Sequence, residues 1–128
     1  MKHLEKIEAQ FGYIDIFSNE KGSFLYVVPH GYVGPSLVKR DLDFAQSFDN
    51  NCNEKWTYIV DTSKVTLPNP INVFYLRRIK NFKKMEEYVV YAPSRFVRIM
   101  LWMSSWVSRP DRVVDRELGL LAIINEEN

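Results

Sequence analysis

A chain of 128 residues, 46% hydrophobic and 14% aromatic, has the size and apolar content of one compact core and is too apolar for a disordered protein. A formal net charge of +1 excludes a global electrostatic drive toward nucleic acid, so no nucleic-acid partner is expected. Cys52 is the single cysteine and cannot form an internal disulfide, and Met1-Lys2-His3-Leu4-Glu5-Lys6 lacks the apolar centre of a secretory signal; a cytoplasmic setting is the expectation.

Residues 1–10 suit either a charged helix or an extension of the first strand. Residues 11–18 and 23–29 predict two strands, and the polar turn Asn19-Glu20-Lys21-Gly22 between them is short enough for an antiparallel hairpin. Gly31-Tyr32-Val33-Gly34-Pro35 reads as a turn before a helix over 36–48. In that helix Leu37, Val38, Leu42, Phe44, Ala45 and Phe48 recur at helical spacing, while Lys39, Arg40, Asp41 and Asp43 mostly take the other side. Residues 49–53 end it. Trp56-Thr57-Tyr58-Ile59-Val60 is β-branched and aromatic, the composition of a buried central strand, and it stops abruptly in Asp61, Thr62 and Ser63, which favour a turn.

A loop through Pro68-Asn69-Pro70 leads to a second helix expected over 71–84 that buries Ile71, Phe74, Tyr75, Ile79 and Phe82. Residues 86–92 predict a further strand and 95–108 a third helix. Its apolar concentration over 96–107 is broken by Arg98, Ser104 and Ser105 and is too short to span a bilayer. A short strand at 112–114 precedes a terminal helix capped by Asp115 and carrying Leu118, Leu121, Ala122 and Ile124. The order β-β-α-β-α-β-α-β-α predicts a single α/β domain over 1–128, with a mixed sheet of about five strands and helices packed on it. Strands 56–61 and 86–92 should then be neighbours.

The element order over 11–125, Ile59-Val60-Asp61-Thr62-Ser63 at a strand end before a helix, and Val113-Val114-Asp115-Arg116-Glu117 leading into an apolar final helix resemble the STAS-like superfamily. The resemblance is to its SpoIIAA-like branch, related to the lipid-binding Sec14-type fold. It implies a phospho-acceptor hydroxyl after the acid at the strand end, which makes Thr62 and Ser63 the candidates. Lys64 stands where that pattern has glycine, and Leu67-Pro68-Asn69-Pro70 lengthens the approach to the helix. A phosphate there would add roughly −1.5 to −2 charges beside Asp61. The alternative role for both hydroxyls is turn and capping hydrogen bonds.

The expected function is a non-enzymatic regulatory or protein-interaction domain whose partner surface comprises Gly31, Gly34, Asp61, Thr62, Ser63 and Lys64. The partner is a protein that the residues do not identify. The alternative is a binding protein for a lipid or another amphipathic small molecule. For that reading Arg77, Lys80 and Lys84, near one another on the second helix, are the candidate head-group or anion contacts, against the ordinary role of a solvated helix face. On the third helix Phe96, Ile99, Met100, Met103, Trp106 and Val107 form the stripe expected to face the sheet. Val97, Leu101 and Trp102 lie outside its centre, and Leu101 and Trp102 are the candidate apolar interface, for a homodimer or a membrane, flanked by Arg95, Arg98 and Arg109. The competing expectation is that the terminal helix covers them with Leu118, Leu120 and Leu121. His3, His30 and Cys52 do not make a metal site, Asp15, Asp61 and Asp115 do not pair as acid and base, and Gly31-Tyr32-Val33-Gly34 lacks a dinucleotide or P-loop pattern, so no cofactor, metal or catalytic residue is expected.

Overall fold

The computed structural model describes residues 1–67 and 69–127, with Leu67 described by its backbone alone. The strands are β1 (Lys2–Glu8), β2 (Gly12–Ser18), β3 (Phe24–Tyr32), β4 (Trp56–Asp61), β5 (Val65–Leu67), β6 (Met85–Tyr91) and β7 (Arg112–Val114), and the helices α1 (Pro35–Asn51), α2 (Asn72–Tyr75), α3 (Arg95–Met103) and α4 (Glu117–Glu127). They build an α/β fold around one mixed sheet of order β1-β2-β3-β4-β6-β7, with β5 paired to β3. The β1-β2-β3 half is antiparallel and the β3-β4-β6-β7 half parallel. As expected, the strand at Trp56 and the strand at Met85 are neighbours, in register from Thr57↔Glu87 to Asp61↔Tyr91.

The sheet has more strands than the five expected. Residues 2–8 form an edge strand that buries Ile7, carries exposed charges at Lys2, Glu5, Lys6 and Glu8, and shifts register between His3 and Glu5. β5 arises because the turn at 62–64 is closed by a hydrogen bond from Val65 N–H to Thr62 O and returns the chain to β3, where Gly31 pairs with Val65. β3 therefore runs three residues past the expected end, and Gly31 lies in the strand rather than in a turn. Gly31 has φ +75°, and a side chain there would meet Phe11 O at 2.8 Å; at Gly12, its partner in register, a Cβ would fall 2.1 Å from Tyr32 O. Only glycine meets both demands at this open end of the β2–β3 pair.

Strand side chains alternate between two cores, as the two-residue period requires. On one face Ile14, Leu25, Val27, Trp56, Tyr58 and Val90 pack beneath α1, the segment after α2, and α3; on the other Phe24, Ile59 and Val89 pack beneath Leu120, Ile123 and Ile124 of α4. α4 thus lies across the sheet from α3 and does not cover it, contrary to expectation. Leu118 and Leu121 point to solvent.

The second helix also departs from expectation. Only 72–75 is α-helical; Leu76–Asn81 winds as a 3-10 helix, and Lys84 lies beyond it. Leu76, Ile79 and Phe82 are spaced by three, the 3-10 period, and Ile79 and Phe82 are the buried members of the segment, whereas Ile71 and Phe74 are more than half exposed. Five cations over 77–84 would crowd one another at i, i+3 and i+4 on a longer α-helix.

Candidate functional site

At the carboxyl end of β4 the acid and the first hydroxyl are tied into the sheet. Asp61 is 6% exposed; it accepts a hydrogen bond from the Tyr26 hydroxyl and another from Ser63 N–H at 2.8 Å, an Asx turn. Burial, then the Asp61 carboxylate, pushes the Tyr26 hydroxyl well above its ordinary range. Thr62 donates its N–H and its Oγ1 to Tyr91 O, at 2.9 and 2.8 Å. Ser63 and Lys64 are exposed. Gly31 N–H donates to Lys64 O at 3.0 Å, which brings Gly31 beside this turn, while Gly34 is the extended N-cap residue of α1 with Pro35 at the first helical position. Gly31, Asp61, Thr62, Ser63 and Lys64 thus lie together at one rim, with its reachable side chains at 63 and 64.

Behind that rim lies a cavity of about 140 Å³ between the sheet and the three helices on its first face. Val27, Tyr58, Val60 and Val90 form its floor, Val38 and Asp41 of α1 one wall, and Asn72 and Val73 of α2 another. Val97, Met100, Leu101 and Ser104, at i, i+3, i+4 and i+7, close it from α3 and the residue after it, while Thr62 and Val65 join it to the rim. The walls are almost entirely apolar, as befits a site that holds a hydrophobic body.

Among the polar side chains that interrupt them, Asp41 and Asn72 each carry a buried oxygen without a partner among the described residues. Asp41 is 6% exposed and accepts the Tyr58 hydroxyl at 2.7 Å on Oδ2. Its Oδ1 is buried with no hydrogen-bond partner among the described residues. Asn72 donates Nδ2 to Val33 O at 2.7 Å, and its Oδ1 is likewise buried and unpartnered among the described residues. Burial raises the Asp41 carboxyl from the ordinary 3.8 to about 7, with the Tyr58 hydrogen bond acting in the opposite direction. Burial and the nearby acid push the Tyr58 and Tyr88 hydroxyls up, so both stay neutral. Asp41 was expected on the solvent side of α1. Its place three residues after Val38 and four before Ala45, inside the apolar stripe, was the signal for burial.

Of the candidate cations, Arg77, Lys80 and Lys84 are exposed, and they do not share one α-helical face. α3 is apolar on both sides, and of the stripe expected to face the sheet Phe96, Ile99, Met103 and Trp106 lie on the outer side, while Met100 lines the cavity and Val107 is buried. Phe96, Ile99, Trp102, Met103 and Trp106 are exposed, Trp102 and Trp106 by 77% and 78%, while Leu101 turns inward to the core. The helix stops at Met103, where Ser104 Oγ turns back to Met100 O at 2.7 Å. No described helix is long and apolar enough to cross a membrane. On the opposite face of the sheet Asp15 lies between His3 Nε2 at 3.1 Å and His30 Nε2 at 3.5 Å, with Tyr13 stacked on His30; among the described residues no group of three metal-binding side chains converges. No protein-family model matches the chain, and no curated protein matches its sequence.

Proposed function

We propose that the protein binds a small amphipathic molecule in the cavity between the sheet and α1, α2 and α3. The observation that carries this reading is the combination of an apolar cavity with the buried acid Asp41 and the amide oxygen of Asn72, which lack partners on one atom each. A core built for stability alone would leave neither oxygen unpaired. The size sets the class of occupant: an apolar cavity of about 150 Å³ holds benzene, so about 140 Å³ takes one ring or a short alkyl body rather than the chains of a membrane lipid. Ser63, exposed on the rim, is the position from which a phosphate would act on access to the cavity. From β2 onward, β5 apart, the element order is a hairpin followed by strands alternating with helices, which supports keeping the STAS-like assignment as the fold proposal.

Titration with ethylbenzene, followed by amide NMR shifts, tests the reading. Saturable shifts confined to residues around Val60, Val97 and Leu101 are expected in the wild type, and Val97→Phe, which fills the space, should abolish them. Shifts spread over the surface, or none, would remove the cavity as a binding site.

A second reading is favoured by the outer face of α3. Residues 93–110 contain Arg95, Arg98 and Arg109 and no acid, around two exposed tryptophans. Aromatic side chains ringed by arginine suit the interface of an anionic bilayer, whereas a symmetric dimer through this face would bring the arginines of both copies together. Vesicles of phosphatidylcholine with phosphatidylserine should sediment the wild type in a salt-sensitive manner and fail to sediment a Trp102→Glu, Trp106→Glu variant. A wild type that ignores the vesicles but scatters light as a dimer would replace the membrane with a second copy.

A further inference from the structure

We propose that the cavity selects a molecule whose apolar body ends in a protonated amine, held by Asp41 and Asn72; the inference rests on the cavity-binding reading above. Both unpartnered atoms, Asp41 Oδ1 and Asn72 Oδ1, are oxygens that ask for donors, and the complementary head group is one that only donates. An ammonium offers three N–H groups and no acceptor. A carboxylate would add a third acceptor to two already unsatisfied, and a hydroxyl supplies one donor where two are wanted.

Charge points the same way. Among the described residues that line the cavity there is no lysine, arginine or histidine to pair with Asp41. Tyr58 and Tyr88 are the other titratable groups that line it, from the sheet side, and both stay neutral. A bound ammonium therefore completes an ion pair whose acidic half is already desolvated in the fold, so the cost that burdens a new buried pair falls on one partner rather than two. Asp41, raised to about 7, must lose its proton to form that pair. Amine affinity should then rise with pH until Asp41 is ionised and fall by about tenfold per unit of acidification below that point, because one proton opposes one ligand.

Benzylamine, benzyl alcohol and ethylbenzene share shape and differ in the terminal group, so titrating each into the protein by NMR at about pH 8 separates the terms of recognition. Benzylamine should bind about tenfold tighter than benzyl alcohol, a difference of about 1.4 kcal/mol. Asp41→Asn should erase that preference while ethylbenzene still binds. The wild-type pH series supplies the same discrimination without a variant. If ethylbenzene binds but benzylamine gains nothing over benzyl alcohol, or its affinity ignores pH, the amine proposal is overturned and the cavity reading stands. If Asp41→Asn keeps the amine preference, Asp41 is not the recognising group and the proposal falls. If none of the three binds, the cavity reading fails and this inference with it.

Discussion

Asp41→Asn is expected to gain about 4 kcal/mol of stability relative to the wild type as the pH is raised from about 4 to about 8, read from paired urea denaturation curves. The direction follows from where the proton resides. With its carboxyl at about 7 in the folded chain and 3.8 in the unfolded one, Asp41 holds a proton between those limits that unfolding releases. Its contribution is complete below 3.8 and is withdrawn as the pH rises through about 7, whereas asparagine does not titrate. Taking the difference between the two proteins cancels the remaining carboxylates. Parallel curves across this window would show that Asp41 does not hold its proton in the fold.

Asp49→Ala is expected to cost about 4 kcal/mol. Asp49, 2% exposed near the end of α1, accepts Trp56 Nε1–H, Lys83 N–H and Lys84 N–H, each at 2.8 Å. One carboxylate thereby ties the helix to the first residue of β4 and to the turn before β6. Its removal leaves an indole donor and two backbone donors without their acceptor, next to Trp56, which is wholly buried against Phe48 and Phe82. Asp49→Asn keeps one acceptor oxygen and should recover part of the loss. A midpoint shift worth less than about 1 kcal/mol would mean that water satisfies those groups.

Much of the frame was legible in the residues. The run at 56–60 is apolar on both faces because β4 has neighbours on both sides and helices above and below, and the sequence shows that as an unbroken β-branched and aromatic stretch. The phase of α3 was not legible. Val97, Met100, Leu101 and Ser104 make one stripe and Phe96, Ile99, Met103 and Trp106 another, and helical periodicity, which ranks positions by hydrophobicity, joined Met100 and Val107 to the stripe that faces solvent. The 3-10 stretch was hidden by reading 3.6-residue spacing into residues 76–82, where a spacing of three fits better. At the site, the rim at 61–64 was visible as a polar strand end. The cavity was not, because Asp41 lies on α1 and Asn72 on α2, and their role depends on which oxygens lack a partner after the chain has closed around them.

The two edges of the sheet end it in different ways. β1 presents lysines and glutamates to solvent and breaks its register between His3 and Glu5, and β7 is only three residues long. Neither offers a long flat row of free amides and carbonyls, the template on which strands of separate molecules add edge to edge into fibrils. The sheet is thereby closed to growth, so concentrated protein is guarded against amyloid-type assembly at the same residues that left the first ten positions undecided between helix and strand.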